Sequence, residues 1–453
     1  MMTESTPTRC GLRGRIIHTP VYGEVVEWRD GAVVWDHNGL ILAAGDAGDV
    51  LSRYSDSGVE DVRPHLVVPG LVDTHTHLPQ LPVAGVGAGE LLEWLHRYVF
   101  PAEREFRVEQ ACALAPVFFR LLAAAGTTSA AVYLALWEDS AHVCFNAAQR
   151  SGLRVVMGKM MMDDETYSGA APTRALELSL RESENLCREW NGRDRNRIRY
   201  AFSPRFAVAC SEPLMVGAAE LAQRYNAFIQ THLSESRDEL RRVRTRFPAA
   251  SDYTDVYDRA GLLGPRTIAG HAIWLNDRER ARLAATGTSV AHCPTSNLYL
   301  ASGLMDLGAL REAGVNVGLG SDVAGGPDVS MWRVMRAAIE VRNTREAVYG
   351  YAPPFGAAEA FHLATMGGAA ALGIDRDTGT IEAGKEADLL VLDPTTAAPP
   401  GAQPELMDAG EVLSLLAWRG DARTTVRTYV RGRAVYDAAD AAPLAAITAN
   451  MTV

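Results

Sequence analysis

Eight apolar, strand-like runs alternate with helix-length amphipathic segments across the middle of the chain, and short strands separated by turn signals flank that region on both sides. The repeating region opens on an apolar run that ends in two histidines one residue apart, His75 and His77. These features predict an α/β protein, a (β/α)8 TIM-like barrel with a small β-sandwich-like domain built from N- and C-terminal segments. The expected boundaries are 1–66 and 381–453 for the two parts of the small β domain and 67–380 for the barrel. A length of 453 residues accommodates both, since such a barrel takes about 250 residues.

In chain order, Val25 to Trp28, Ala32 to Trp35 and Leu40 to Ala43 read as strands separated by Asp-Gly, Asn-Gly and Gly-Asp turn signals. The barrel strands are expected at Leu66 to Val72, Thr127 to Leu134, Arg154 to Gly158, Ile198 to Ser203, Ala227 to Thr231, Thr267 to Gly270, Ser289 to Ala291 and Val315 to Gly320. A helix over Ala357 to Leu372 follows, then a strand at Ala387 to Asp393, a Pro- and Ala-rich loop at 394–404, and strand character again from Thr424 to Tyr436. The simplest arrangement folds the two β segments together, with the barrel inserted between them. The Ala-rich tail after Asp437 is expected to fray.

A formal charge of −11 argues against a polyanion-binding surface, so no nucleic-acid partner is expected. The locally basic stretch Arg237 to Arg246 has helical spacing and interspersed acids, which makes it a solvated helix face. Six cysteines without a C-x-x-C pair read as reduced, mostly buried thiols. The first nine residues are polar with no apolar h-region, and no apolar run reaches membrane-spanning length. A cytoplasmic location and no membrane partner are therefore expected.

On an extended segment alternate side chains share a face, so His75 and His77 can meet one ion. In a barrel of this kind the C-terminal strand ends form the active site. His232, His271 and Asp322 each end an apolar run, which gives four imidazoles and one carboxylate suited to Zn²⁺ or a similar divalent ion. Singly, each histidine reads as a hydrogen-bonded structural residue and Asp322 as a turn residue. Jointly, the metal reading is stronger, because unrelated reasons would otherwise have to put all of them at one barrel edge. His292 also follows a short apolar run, and spacing alone does not choose between it and His271. Glu235, three residues after His232, reads either as helix N-terminal charge or as a proton-shuttling carboxylate beside a metal.

The set Pro-Gly-Leu-Val-Asp-Thr-His-Thr-His (69–77), Thr-His-Leu-Ser-Glu (231–235), Gly-His (270–271), His-Cys-Pro-Thr-Ser-Asn (292–297) and Gly-Ser-Asp (320–322) resembles the amidohydrolase superfamily. Within it the chain is most similar to the guanine deaminase family. That narrower resemblance rests on Leu-Leu-Glu-Trp-Leu (91–95), Phe-Pro-Ala-Glu (100–103), Ser-Pro-Arg-Phe (203–206), Tyr-Thr-Asp-Val-Tyr (253–257), residues 296–304 and Asp-Val-Ala-Gly-Gly (322–326). It implies hydrolytic deamination of guanine to xanthine and ammonia by a zinc-activated water, with one Zn²⁺ per subunit. His75, His77, His232, His271 and Asp322 become the zinc-site residues, and His292 falls outside the ligand set. Glu235, Asp322 and His271 become catalytic. Gln80, Arg205 and Phe206 contact the purine, together with His77, His232, Glu235 and Asp322. The resemblance also implies a homodimer. Two other readings share these residues: a zinc-dependent deaminase of another ring (oxidised guanine, a pterin or an s-triazine), and a non-catalytic assembly protein on the same fold.

Overall fold

The computed structural model describes residues 9–87, 89–350 and 353–440. Strands β1 (Arg9–His18), β2 (Val26–Asp36), β3 (Ile41–Asp46) and β4 (Gly58–Pro69) come first. The barrel strands are β5 (Leu71–His77), β6 (Thr127–Leu134), β7 (Arg154–Met161), β8 (Ile198–Pro204), β9 (Phe228–Leu233), β10 (Thr267–His271), β11 (Ser289–His292) and β12 (Val317–Leu319). Strands β13 (Leu389–Leu392), β14 (Thr425–Val430) and β15 (Arg433–Asp437) end the described chain. The expected fraying tail lies largely outside the described residues.

Strands β5 to β12 form one eight-stranded sheet in sequence order, parallel at every ladder. Side chains and loop backbone join its two edges. Thr74 Oγ1 donates to Leu319 O (2.8 Å), Asp322 N–H donates to His75 O (2.8 Å), and His77 N–H donates to Val323 O (3.1 Å). Asp73 accepts from the Ser321 N–H (2.9 Å) and hydroxyl (2.5 Å). One residue from each of β5 to β11 meets in a single apolar cluster: Val72, Ala131, Val156, Ala201, Phe228, Ile268 and Ala291. This layer precedes the polar residues along the strands, with Val72 before His75, Phe228 before His232 and Ile268 before His271. The apolar part of each run closes the barrel, and its end carries the chemistry.

The second sheet has the order β15-β14-β13-β4-β1-β2-β3, so strands from both ends of the chain share it. The run expected as one barrel strand, Leu66 to Val72, serves both sheets. Leu66 to Pro69 pair antiparallel with β13, while Leu71 pairs with Thr127 of β6. Gly70 lies at the crossing, where any Cβ would collide with Thr128.

Three local expectations are corrected. Asp30-Gly31 is not a turn; it lies inside β2, beside a bulge where pairing passes from Gly14↔Gly31 to Ile16↔Trp28. The extra residue is absorbed by the bulge, and Asp30 accepts two bonds from Arg13 across the strands (2.8 and 2.6 Å). The strand expected over Val315 to Gly320 narrows to Val317–Leu319, because Gly320 and the residues after it turn into the site. Between the last β segments stands an unexpected helix, Ala409–Arg419. Asp408 and Glu411 form its reciprocal N-terminal cap, and Val412, Leu413, Leu415 and Leu416 bury its apolar face. The Arg237–Arg246 helix is largely exposed, and all six cysteines are free, four of them buried. No helix among the described residues is long and apolar enough to cross a membrane.

Arg154, at the start of β7, ties the two sheets together. Its Nε donates to Asp388 Oδ2 (2.5 Å) and its Nη2 contacts Glu386, while Asp388 also accepts from the Arg431 N–H (2.8 Å). Arg154→Met leaves the fully buried Asp388 carboxylate without its counter-charge. Denaturant unfolding should then show a loss of about 3 kcal/mol. An unchanged unfolding midpoint would refute a stabilising role for this pair.

Candidate metal centre and active site

Strand alternation places His75 and His77 on one face of β5, with their Nε2 atoms 3.2 Å apart. Asp322 Oδ1 lies 3.3 Å from His75 Nε2 and 3.2 Å from His77 Nε2. His232, in β9, brings its Nε2 to 3.2 Å from that of His77, and His271 Nε2 stands 3.8 Å from Asp322 Oδ2. Four imidazoles and one carboxylate from four separate segments therefore converge, all but His232 buried.

Close packing makes the convergence possible. A Cβ on Gly270 would stand 2.7 Å from His75 Cε1, and one on Gly320 would stand 2.7 Å from His75 Cβ. His271 (φ 66°) and Asp322 (φ 48°) adopt left-handed backbone conformations at the points where their chains leave the barrel. Such conformations cost about 1–3 kcal/mol each and persist where surrounding contacts hold them. Asp322 is held through its N–H to His75 O.

The donor set fits a divalent cation. Burial pushes the His75 pKa below its ordinary value, brings His77 down to about 4 and drives His232 well below, so these rings are neutral and carry lone pairs. For Asp322, burial opposes ionisation, but the His75 and His77 hydrogen bonds outweigh it and hold the carboxyl well below the usual range. The His232 Nδ1–H donates to Arg205 O (2.7 Å) and the His271 Nδ1–H donates to Asn297 Oδ1 (2.9 Å). Both bonds leave Nε2 as the lone-pair atom facing the centre. His271 Nε2 is buried without a hydrogen-bond partner among the described residues, as expected of an atom built to meet an ion. Cys293 Sγ lies near the ligand atoms of His75, His271 and Asp322, yet burial raises its thiol far above the ordinary value, so it stays protonated. His292 is buried and belongs to neither converging group.

Glu235 follows Ser234, whose φ of 50° turns the chain off β9. Its Oε2 lies 3.4 Å from His271 Nε2, and its Oε1 accepts from the Ser302 hydroxyl (3.0 Å). Burial, and then the Asp322 charge, raise its pKa to about 8. The alternative role as helix N-terminal charge is filled by neighbours, because Ser236 and Glu239 form the capping box of the Arg237–Arg246 helix.

These groups open on a pocket that Gln80, Arg205 and Phe206 also line. Leu91, Trp94, Leu95 and Leu300 supply its apolar walls. All nine residues singled out in the sequence lie in or directly beneath this pocket. Several neighbours carried no role at that level. Asn297 orients His271, Ser302 holds Glu235, and the Tyr133 ring stacks on His77 at 4.6 Å between centroids. Glu103 accepts from Arg205 Nη1 (2.6 Å) and Gln80 Nε2 (2.8 Å). No local signal links these partners, which are far apart in the chain; only the resemblance at 100–103 and 296–304 touches them.

The Amidohydrolase family profile matches residues 66–435. Guanine deaminase of Escherichia coli K12 is 38% identical over 384 residues, 84% of this chain and 85% of that protein. Guanine deaminase of C. acetobutylicum, solved with guanine bound in the active site, superposes with a TM-score of 0.87 at 28% identity, covering 94% of this chain and 100% of that one. An adenosine deaminase of Xanthomonas campestris with bound zinc gives 0.83 at 25% identity over 98% and 96% of the two chains. With a family match spanning the whole barrel and the C-terminal strands of the shared sheet, and a relative this similar along most of its length, the chain belongs to the amidohydrolase family.

Proposed function

We propose that this protein hydrolyses guanine to xanthine and ammonia. The observation that carries the reading is one pocket that sets a buried His/Asp cluster and Glu235 against Arg205 and Gln80. Similarity to the Escherichia coli and C. acetobutylicum guanine deaminases supports it.

His75, His77, His232, His271 and Asp322 would hold one ion per subunit, and Zn²⁺ suits this set of nitrogen and oxygen donors. When bound, zinc makes a water acidic enough to act as a nucleophile near neutral pH. Guanine presents O6 as an acceptor and ring nitrogens as donors. The Arg205 guanidinium, the Gln80 amide and the backbone at Phe206 satisfy that edge, while Leu95, Leu300 and Trp94 cover apolar surface. With C2 directed at the water, Asp322 and His271 orient the attack and Glu235 takes the water's proton. Glu235 passes that proton to the ring nitrogen beside C2, then takes the proton of the new C2 hydroxyl and delivers it to the amine. A C2–O bond forms, the C2–N bond breaks, and ammonia leaves. A carboxyl whose pKa lies near 8 is close enough to neutrality both to take up and to release a proton. A reducing cytoplasm suits six unpaired cysteines. Homodimeric assembly completes the proposal and rests on the family resemblance.

Ammonia release from guanine, 8-oxoguanine, a pterin and an s-triazine should be fastest by far with guanine. Turnover of another ring, with none of guanine, would replace the substrate. Glu235→Gln should keep its metal content in elemental analysis and lose roughly 10³-fold in kcat. Near-normal turnover in that variant would remove Glu235 from the proton path.

A further inference from the structure

Phe100 and Glu103 lie on one short helix, Phe100–Glu105, packed beside the pocket rather than lining it. The Glu103 side chain is 1% exposed and serves both pocket groups assigned to the purine. Its Oε2 accepts from Arg205 Nη1 (2.6 Å), and its Oε1 accepts from Gln80 Nε2 (2.8 Å). The Phe100 ring lies 5.0 Å from Arg205 Cζ, a cation–π distance. The Trp137 indole N–H donates to Glu103 O (3.2 Å) and anchors the helix end.

This arrangement distinguishes the two ends of the Gln80 amide. Nε2 faces the Glu103 carboxylate, while Oε1 accepts from the Ala324 N–H (3.2 Å). Rotating the amide by half a turn would set its carbonyl against a carboxylate and its NH₂ against an N–H donor, so one orientation is fixed. Gln80 then has one N–H and one lone-pair direction left for a ligand. Glu103 also matches the charge of Arg205, which is itself buried and would otherwise put an uncompensated cation beside the ring.

We propose that Glu103 is the positioning residue that sets the specificity of this pocket: by fixing the Gln80 amide and neutralising Arg205 it selects an uncharged oxopurine over an anionic ring. The inference rests on the reading that Arg205 and Gln80 contact the base. Glu103 touches neither the ligand atoms nor the reacting carbon, so its loss should act on binding more than on the chemical step.

The test compares wild type, Glu103→Gln and Glu103→Asp in guanine kinetics and, by calorimetry, in binding of urate, a purine that is an anion at neutral pH. Glu103→Gln should raise KM for guanine roughly 10- to 100-fold with kcat within about threefold. It should also bind urate more tightly than wild type does, a gain that a merely damaged fold would not give. Glu103→Asp, which keeps the charge, should fall between the two. An unchanged KM, a loss confined to kcat, weaker urate binding in Glu103→Gln, or loss of metal or fold in both variants would overturn the proposal. A wild type inactive on guanine would instead overturn the substrate reading, while the urate comparison still decides the role of Glu103.

Discussion

The Asp322 carboxylate is the point on which this structure depends. Its backbone N–H closes the barrel by bonding to His75 O, and its Oδ1 meets the Nε2 atoms of both His75 and His77. The joint between the first and last barrel strands is therefore also the centre of the ligand cluster. Asp73 and Ser321 reinforce it one turn of the pleat away, where burial lifts the Asp73 carboxyl to about 7 despite its hydrogen bonds to Ser321. A barrel that failed to close would lose the ligand set, and a misplaced Asp322 would open the seam.

Burial explains the electrostatic character of the site. It keeps the His75, His77 and His232 imidazoles neutral, holds the Cys293 thiol protonated and pushes Glu235 toward neutrality. Within the ligand cluster Asp322 stays ionised, because two histidines hydrogen-bond to it. Across the pocket the same constraint acts on Arg205, which is deeply buried and has Glu103 as its counter-charge. The two sides thus answer desolvation differently: one with a carboxylate among imidazoles, the other with a closed ion pair.

Much of this was legible in the sequence, for identifiable reasons. Apolar runs of strand length ending in a polar residue gave the barrel order and brought His75, His77, His232, His271 and Asp322 together, because alternation and strand-end placement are local properties. What could not be read locally is what depends on distant partners. Asp30-Gly31 carries a turn signature, yet pairing with β1 turns it into part of a bulged strand. His271 and His292 have the same local pattern, and only their three-dimensional placement separates them: His271 joins the ligand cluster and His292 does not. Glu103 lies 102 positions from Arg205, with nothing in its own segment to announce the pairing.

The central claim is that one ion, held on Asp322 and its histidines, is required to convert guanine. Metal-free protein prepared by chelation and then titrated with zinc, while xanthine formation is followed, tests it directly. The account predicts that activity vanishes with the ion, returns in proportion to added zinc and saturates at about one equivalent per subunit. Full turnover by the metal-free protein would contradict it, as would activity that appears only beyond a second equivalent.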